Sequence, residues 1–436
     1  MDRETELASS VMKMLKGKFV VITDPAERMN LIKEILKVIE PQINDEEVGR
    51  IASYITDLSP LDTLISSESI EDITVNGTNN IYFYDVNRGF IKSDIRIAKR
   101  SDIDMLVDKL KLYATNESAN GQIMDVHLPT GSRANIISTP AGPNITIRNF
   151  KKHAMSIIDL INSEELTYEM AARFWIYIDG FKTRPANMLI GGMPAAGKTT
   201  LLNSMFSFFR PNQRIVTLEE TYELDTSMHD NTARLETSID MRMVDLAKNV
   251  LRMRPDIAVF GEIRGEEANE LISIMNVGKM VMGTMHGSTT REMVNRLEMS
   301  PMSIPRGSIS VIDVLMCVSV VHEHTAQKRR IIQISETSGV ETQVLLSDLY
   351  LYDYRTGRGA QILPSITYRD RISRLLGLPP SDILEEEKVR AAILKRLNET
   401  GVRNIESISQ VVLDYYDAPE GTLKRLGINM RPVIEI

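Results

Sequence analysis

The sequence predicts an α/β fold with a parallel sheet, preceded by a separate and smaller α+β domain. A glycine-rich turn at residues 192–199 lies between a short apolar run and a stretch with helical spacing. Three later apolar runs each end in a polar residue and are flanked by helical patterns, as in βαβ units. Upstream, two strand-like runs meet at an Asn-Gly turn between residues 70 and 84, which indicates an antiparallel hairpin.

The chain before the glycine-rich turn is predicted to form three parts. Residues 1–60 are helical, because apolar side chains recur at helical spacing in residues 29–40 and a second helical pattern covers residues 46–58. Residues 61–150 form the α+β domain. Besides the hairpin, this domain is predicted to contain a helix at 99–113, a turn and strand at 127–137, and a strand at 144–150. Residues 151–160 are predicted to be the linker to the α/β domain.

The glycine-rich turn fits the pattern G-x-x-x-x-G-K-[ST], which forms the phosphate loop of P-loop NTPases. Gly192 and Gly197 let the backbone fold tightly, so that its N–H groups converge on a polyphosphate at a helix start. Lys198 adds positive charge at the β- and γ-phosphates, and the Thr199 hydroxyl is a ligand for Mg²⁺. The predicted nucleotide-binding residues are Gly192, Met193, Pro194, Ala195, Ala196, Gly197, Lys198, Thr199 and Thr200.

The three later apolar runs end at Glu219, Glu262 and His286. Ligands bind at the carboxyl ends of parallel strands, so we expect these side chains to lie near the P-loop. Glu262 is suited to order Mg²⁺ through water, or it is a surface acid at a strand end. Glu219 is suited to take a proton from water, or it stabilises a helix start. His286 is placed to bond the γ-phosphate, although a lone histidine is more often structural. We interpret Arg264 as an ion-pair partner of Glu266 rather than as a charge clamp.

The remaining elements follow from the same patterns. Short apolar runs predict parallel strands at 187–190, 214–219, 257–262 and 280–286. Residues 314–321 and 330–335 are predicted to pair antiparallel through a turn at 325–328, and residues 344–354 continue the β pattern. Residues 366–436 are predicted to be helical and polar.

Composition limits the class of protein and its location. The 436 residues include 59 acidic and 51 basic ones, a formal net charge of −8 that argues against a nucleic-acid motor with a basic stripe. Cys317 is the only cysteine, which excludes an intrachain disulfide and a Cys₄ zinc site. No apolar run reaches the ~18 residues that span a bilayer, and the acidic start lacks the features of a signal peptide. We therefore expect a cytoplasmic protein with peripheral contact at the inner face of the cell membrane.

Four segments occur in a fixed order: the P-loop at 192–199, RIVTLEETYEL at 214–224, RMRPDIAVFGEIRGEEA at 252–268 and GTMHGSTTREMVNRL at 283–297. Together they resemble the Walker A loop, Asp box, Walker B segment and His box of the type II/type IV secretion ATPase superfamily. Members of this superfamily drive secretion, pilus assembly or the archaellum. With the upstream segments ITVNG, LPTGSR and ITIR, the resemblance covers roughly residues 60–340. The stretch after the His box looks most like archaeal members.

The resemblance implies a role for each matched residue. Glu219 matches the catalytic glutamate of the Asp box, and Glu262 matches the Walker B glutamate close to Mg²⁺. His286 matches the His-box residue. Arg133 and Arg148 match arginines of the N-terminal domain that reach the γ-phosphate and stabilise charge in the transition state.

The resemblance also implies an assembly and its partners. Family members are ring hexamers that bind ATP and Mg²⁺, with a RecA-like P-loop domain expected here at 161–340 and a C-terminal β/helical extension at 341–436. Hydrolysis of ATP would power assembly of a type IV pilus-like filament or an archaellum, or protein secretion across the membrane. The expected partner is an integral-membrane platform protein, and no nucleic-acid partner is expected.

The sequence departs from the family pattern at the Asp box, which reads Glu219-Glu220 where Glu-Asp is common. Either carboxylate is therefore a candidate for the base. Two other functions share the predicted core. One is a RecA-like nucleic-acid translocase, against which the acidic net charge argues. The other is a nucleotide-gated scaffold that barely turns over, against which the two acids Glu219 and Glu262 argue.

Overall fold

The computed structural model describes residues 3–22, 24–67, 69–78, 80–85, 88–117, 121–149, 155–238, 241–323, 326–359 and 363–433. The chain divides into two compact units, Met1–His153 and Ala154–Ile436. The first unit is α+β and the second is α/β, as predicted from the sequence. Residues 151–154, which belong to the predicted linker, lie outside the described residues.

The first unit combines helices with an antiparallel sheet. Its described helices are α1 (Arg3–Leu15), α2 (Pro25–Ile39), α3 (Asp45–Thr56), α4 (Asp62–Ile65) and α5 (Arg100–Leu110). Its described strands are β1 (Ile70–Asn76), β2 (Ile81–Asp85), β3 (Gly89–Lys92), β4 (Ala114–Glu117), β5 (Ile123–His127), β6 (Arg133–Thr139) and β7 (Gly142–Arg148). Within the described residues the sheet has seven strands in the order β3-β2-β1-β7-β6-β5-β4.

Local sequence explains these elements. Helix α2 begins where Asp24 caps it, because the Asp24 carboxylate accepts a hydrogen bond from the N–H of Ala26. Side chains alternate along β7, so that Ile145 and Ile147 are buried in the core of this unit. Arg148 is exposed at the end of the same strand, on the opposite face of the sheet.

The second unit is built on a sheet that is parallel through most of its width. Its described strands are β8 (Met188–Gly192), β9 (Ile215–Glu219), β10 (Thr232–Glu236), β11 (Ile257–Ile263), β12 (Met280–Met285), β13 (Val314–Glu323), β14 (Ala326–Val340), β15 (Val344–Asp353) and β16 (Arg358–Gly359). Across the described residues, nine strands follow the order β10-β9-β11-β12-β8-β13-β14-β15-β16. Neighbours from β10 to β13 are parallel, and those from β13 to β16 are antiparallel.

Helices bury this sheet on both faces. The described helices are α6 (Ile157–Asn162), α7 (Tyr168–Asp179), α8 (Lys198–Ser204), α9 (Met243–Val250), α10 (Glu267–Asn276), α11 (Thr290–Glu298), α12 (Arg306–Ile309), α13 (Thr367–Leu376), α14 (Pro380–Glu399), α15 (Ile405–Asp417) and α16 (Pro419–Leu426). Met188 and Ile190 of β8 belong to one buried cluster and Leu189 to another, as expected for a strand covered on both sides. Among the described helices, none combines the length and apolar character needed to cross a membrane.

Three elements of the second unit differ from the sequence-based prediction. Edge strand β10 was not predicted, because its side chains are half-exposed and form no apolar run. Strand β14 begins at Ala326, which pairs with Glu323, so most of the predicted turn at 325–328 is strand. Helix α6 lies partly in the predicted linker, because Ser156 and Asp159 form a capping box that starts it. The domain boundaries inferred from the sequence stay a prediction.

Candidate nucleotide-binding site

The P-loop leaves the carboxyl end of β8 and leads directly into α8. Gly197 has a φ of 100°, in the left-handed region that favours glycine. A Cβ placed on Gly192 would lie 2.6 Å from the carbonyl oxygen of Val318, so this position tolerates only glycine. The N–H of Ala196 donates to the carbonyl oxygen of Met193 at 3.2 Å. The glycine pattern of the sequence therefore corresponds to a tight loop at the end of a buried strand.

The side chains after the loop fit a Mg²⁺–nucleotide. Lys198 is only 9% exposed, and its Nζ donates to the carbonyl oxygens of Gly192 at 3.1 Å and Met193 at 3.2 Å. The ammonium group is thus held by the backbone of the loop. Thr199 and Thr200 are half-buried in the first turn of α8. Lys198 would hold the phosphates, and the Thr199 hydroxyl would contact the metal ion.

Neighbouring strands bring the predicted acids and histidine to the same edge of the sheet as the P-loop. Strands β9, β11, β12 and β8 are consecutive and parallel. Glu219 is the last residue of β9, Glu262 is next to last in β11, and His286 directly follows β12. The predicted convergence of these three strand ends beside the P-loop strand is therefore present in the fold.

Glu219 is fixed in place by the loop that follows it. The residue is 1% exposed, and its carboxylate accepts hydrogen bonds from the N–H groups of Glu223 at 2.6 Å and Leu224 at 2.8 Å. The Thr217 hydroxyl donates to the same carboxylate at 3.1 Å. Burial raises the pKa of Glu219, while the N–H groups of Leu224 and Glu223 oppose the rise.

Glu262 contacts His286 across two neighbouring strands. The Nε2 atom of His286 lies 2.8 Å from Oε1 of Glu262, and both side chains keep about a third or less of their surface exposed, 31% and 27%. The pairing of β11 with β12 changes register between Phe260 and Ile263, so Glu262 lies in an irregular stretch of this pairing. His286 thus has a specific carboxylate partner at the candidate site.

Arg264 pairs differently from the sequence-based prediction. Its guanidinium contacts the carboxylate of Glu220 and lies 3.5 Å from that of Glu262. The predicted ion pair with Glu266 is wrong. The side chain instead lies between the carboxylate of Glu220, which directly follows β9, and that of Glu262 in β11. The backbone N–H of Arg264 donates a hydrogen bond to the Glu267 carboxylate.

The two predicted arginines lie in the first unit, directly opposite each other on β6 and β7. In the same row Arg133 pairs with His127 of β5, and Arg148 pairs with Asp72 of β1. Burial lowers the pKa of His127, and the charge of Arg133 lowers it further. Like charges directly opposite each other are unfavourable alone. In the same row, burial raises the pKa of the Asp72 carboxyl group, and the positive charge of Arg148 opposes this rise. The contribution of these arginines to the nucleotide site stays a prediction.

Some residues that shape the site were missed from the sequence. The Thr217 hydroxyl donates a hydrogen bond to the Glu219 carboxylate. A Cβ atom placed on Gly261 would lie 3.2 Å from Cγ of Glu219. The sequence does contain a signal for Gly261, because this glycine directly precedes Glu262, the acid at the end of a predicted strand. Glu165 had no such signal, because only the fold brings it beside Gly197, where a Cβ would lie 3.4 Å from the Glu165 carboxyl oxygen.

Known proteins share both the P-loop segment and the upstream region. Residues 55–345 match the family described as type II/IV secretion system protein. An uncharacterized protein of Methanocaldococcus jannaschii is 30% identical over 315 residues, which cover 62% of this chain and 43% of that protein. A second uncharacterized protein of the same organism is 28% identical over 402 residues, which cover 87% of this chain and 69% of that protein. The chain thus spans less than half of the first relative's length.

A solved structure is also similar to this chain. The pilus retraction motor PilT with bound ADP is 15% identical, with a TM-score of 0.49, over 63% of this chain and 82% of that one.

The family match covers more than half of the chain and includes the P-loop, the Asp box, the Walker B segment and the His box. The resemblance drawn from the sequence is therefore confirmed. The chain belongs to the family of type II/IV secretion system proteins, and in it an α/β domain that carries the P-loop follows an α+β N-terminal domain.

Proposed function

We propose that this chain hydrolyses Mg²⁺-ATP to power a membrane-bound machine, either for protein secretion or for assembly of a type IV pilus-like filament or archaellum. One observation carries the proposal: a single sheet edge holds the P-loop with Lys198, the buried Glu219 and the Glu262–His286 pair. The family's description as type II/IV secretion system protein supports work at a membrane.

The side chains on this edge divide the tasks of phosphoryl transfer. Lys198 neutralises charge on the β- and γ-phosphates, and Thr199 contributes a hydroxyl to Mg²⁺. The metal ion, when bound, offsets phosphate charge. Glu262 would help to hold Mg²⁺ and to order water beside it. The 2.8 Å contact couples this carboxylate to His286, which is suited to donate a hydrogen bond to the γ-phosphate.

Glu219 rather than Glu220 is our proposed base. Glu220 is exposed and engaged by Arg264 in an ion pair. Glu219 is buried and held by two backbone N–H groups, and burial raises its pKa. A carboxylate with a raised pKa accepts a proton from the attacking water more readily than an ordinary one.

The N-terminal unit supplies the remaining charge in this proposal. The paired Arg133 and Arg148 stabilise negative charge that develops on the transferred phosphoryl group. Work would be done by a homohexameric ring, located in the cytoplasm and bound peripherally at the inner face of the membrane. Its partner would be an integral-membrane platform protein, and no nucleic acid is required.

Steady-state phosphate release from the full chain tests this proposal. We expect release to require both ATP and Mg²⁺ and to stop when EDTA is added. Glu262→Gln should lower kcat by ~10²-fold or more, because a residue that orders water acts mainly in the transition state. The matched control is Glu266→Gln, which removes a charge four residues away and should leave kcat nearly unchanged. Phosphate release that is independent of Mg²⁺, or equal losses in both variants, would contradict the proposed function.

A further inference from the structure

Glu165 is a buried acid beside the P-loop that the proposed mechanism does not use. The residue is 4% exposed, and its carboxyl oxygen Oε1 has no hydrogen-bond partner among the described residues. Buried acceptors without a partner are rare and costly, so this one needs a physical explanation.

The Glu165 carboxyl group lies close to Gly197, the second glycine of the P-loop pattern. A Cβ placed on Gly197 would be 3.4 Å from Oε1 of Glu165 and 3.1 Å from Cδ of Arg329. Gly197 directly precedes Lys198, and the backbone N–H groups of this loop are the ones that bind phosphate in P-loop proteins. A phosphate chain bound here would therefore bring negative charge close to the Glu165 carboxyl group.

Backbone hydrogen bonds hold the acid in this position. The N–H of Glu165 donates to the carbonyl oxygen of Leu160 at 2.9 Å, and its carbonyl oxygen accepts from Ile331 of β14 at 3.1 Å. The guanidinium of Arg330 donates to the carbonyl oxygen of Ser163 at 2.8 Å. Glu165 thus remains beside the loop unless several hydrogen bonds break.

We propose that Glu165 sets nucleotide affinity through its charge: the carboxyl group is neutral while a nucleoside di- or triphosphate occupies the P-loop, so that binding takes up a proton there. The proton comes from solvent, and the only bond that forms on Glu165 is the O–H bond. This inference rests on the proposed function, because it requires a phosphate chain at Lys198.

The surroundings of Glu165 bring its pKa close to neutral pH, where the protonated and the ionised forms are both populated. Burial raises the pKa of Glu165 to about 7, and the charges of Arg329 and Arg330 on β14 act in the opposite direction. The neighbouring Glu164 is paired with Lys328 at 3.0 Å and with Arg330 at 2.9 Å. An anion at the P-loop would raise the pKa further, because it disfavours a second negative charge.

Charged groups on the other adjacent elements are engaged elsewhere. In the P-loop, the Lys198 ammonium group donates hydrogen bonds to carbonyl oxygens of the loop itself. From α6, the Asp159 carboxylate accepts hydrogen bonds from Ser156 at 2.9 and 3.0 Å.

The sign of the pH dependence follows from these charges. Well below the pKa of about 7, Glu165 is neutral with or without nucleotide, so it does not change the affinity. As the pH rises through this pKa, the free protein loses the proton and binding must restore it, so the affinity falls. A rise of one pKa unit on binding corresponds to an affinity loss of about tenfold at high pH.

Binding of Mg²⁺-ADP to the full chain, measured by titration calorimetry at several pH values, tests the inference. The isosteric variant Glu165→Gln keeps the side chain neutral at every pH. Titration of ADP and of other residues affects both proteins equally, so it cancels in the ratio of wild-type Kd to variant Kd. We expect a ratio near one at ~pH 6 that rises to about tenfold at ~pH 8.5. The matched control Glu164→Gln removes the same charge from the adjacent, exposed residue, and its ratio should not change with pH.

The outcomes separate this inference from the proposed function. A second neutral variant, Glu165→Met, should show the same pH-dependent ratio as Glu165→Gln. Ratios that do not change with pH in both variants would overturn the role of Glu165. The proposed function would survive that result if the wild type binds Mg²⁺-ADP and Lys198→Ala does not. If the wild type fails to bind Mg²⁺-ADP at any pH, both proposals fall.

Discussion

Individual residues at the sheet edge differ in how firmly they are held. The Glu219 carboxylate accepts hydrogen bonds from two backbone N–H groups and a hydroxyl, whereas Glu220 contacts the exposed guanidinium of Arg264. A general base must face the attacking water in a defined geometry, and these hydrogen bonds hold the Glu219 carboxylate in one position. A misplaced base loses much of its effect. The two neighbouring acids are therefore not equivalent.

This difference predicts unequal effects of the same substitution. Glu219→Gln should lower kcat by ~10²-fold or more, the usual contribution of a general base, while KM for ATP changes little. Glu220→Gln, which disturbs only an exposed ion pair, should lower kcat less than about tenfold. Phosphate release at saturating ATP measures both values. A larger loss in Glu220→Gln would transfer the role of base to Glu220.

Glu165 predicts a pH-dependent difference in stability. Its pKa is raised from the ordinary 4.5 to about 7 in the folded chain, so folding takes up a proton between these values. The wild type therefore loses stability as the pH rises through this window, and Glu165→Gln does not. We expect the Tm of the variant to exceed that of the wild type by more at ~pH 8 than at ~pH 5. A Tm difference that is the same at both pH values would show that Glu165 does not titrate in this window.

At the scale of residues, the sequence predicted the positions of the site better than their contacts. The positions of Lys198, Glu219, Glu262 and His286 at strand ends or in the glycine-rich loop agree with the structure, because strand ends and the glycine pattern are local signals. Their roles stay predictions. The partner of Arg264 was predicted wrongly, because spacing along one segment favours a near neighbour, whereas the side chain reaches a different strand. The Glu262–His286 contact joins the ends of two different strands, which spacing along a single segment does not reveal.

Elements were predictable where burial on both faces produces a continuous apolar run. Strands β8, β9, β11 and β12 have such runs, and all four agree with the prediction to within a residue or two. Strand β10 at the sheet edge has none, and its Thr232–Glu236 segment was missed. The extent of β14, fifteen residues long, reflects pairing with both neighbours rather than its own sequence.

One buried charge network ties three helices of the second unit together. Arg390 of α14 is fully buried and contacts Asp179 at the end of α7 at 2.8 Å and Glu386 at 2.9 Å. The hydroxyl of Tyr415 on α15 donates to Glu386 at 2.9 Å, and the Arg390 guanidinium lies 4.9 Å from the ring of Trp175. Within the second unit, charge as well as packing thus joins the C-terminal helices α14 and α15 to α7.

Removing the Arg390 guanidinium from this network should strongly lower the stability of the fold. Arg390→Met leaves two carboxylates buried without it and should lower the free energy of unfolding by about 3–5 kcal/mol. Denaturant unfolding of the full chain measures the change. The matched control in the same helix is Arg396→Met, whose side chain is 45% exposed and should cost less than about 1 kcal/mol. Equal effects of the two substitutions would show that the network does not stabilise the fold.

For the whole molecule, the residues of the proposed activity are divided between two separate units. The P-loop and strand-end acids belong to the second unit, and the paired arginines belong to the first. Family membership rests on a match that includes parts of both units. Neither unit's sequence alone indicates how the two act together, because that depends on contacts outside each core.

Arg148→Ala tests whether the first unit takes part in turnover. If Arg148 stabilises charge only in the transition state, kcat should fall by ~10³-fold while the Kd for Mg²⁺-ADP stays within about threefold. Arg88→Ala is the matched control, since Arg88 is an exposed arginine of the same unit paired with Asp85. Phosphate release and calorimetry give the two quantities. Unchanged turnover in Arg148→Ala would remove this arginine from the site.

The most direct test of the central claim is phosphate release by Lys198→Ala, compared with Lys279→Ala. Lys198 is buried in the P-loop. Lys279 is half-buried before β12, at the opposite end of the strands, and pairs with Asp256. We expect Lys198→Ala to abolish hydrolysis of Mg²⁺-ATP and Lys279→Ala to retain it. Full turnover by Lys198→Ala would contradict the assignment of the phosphate loop and, with it, the proposed motor.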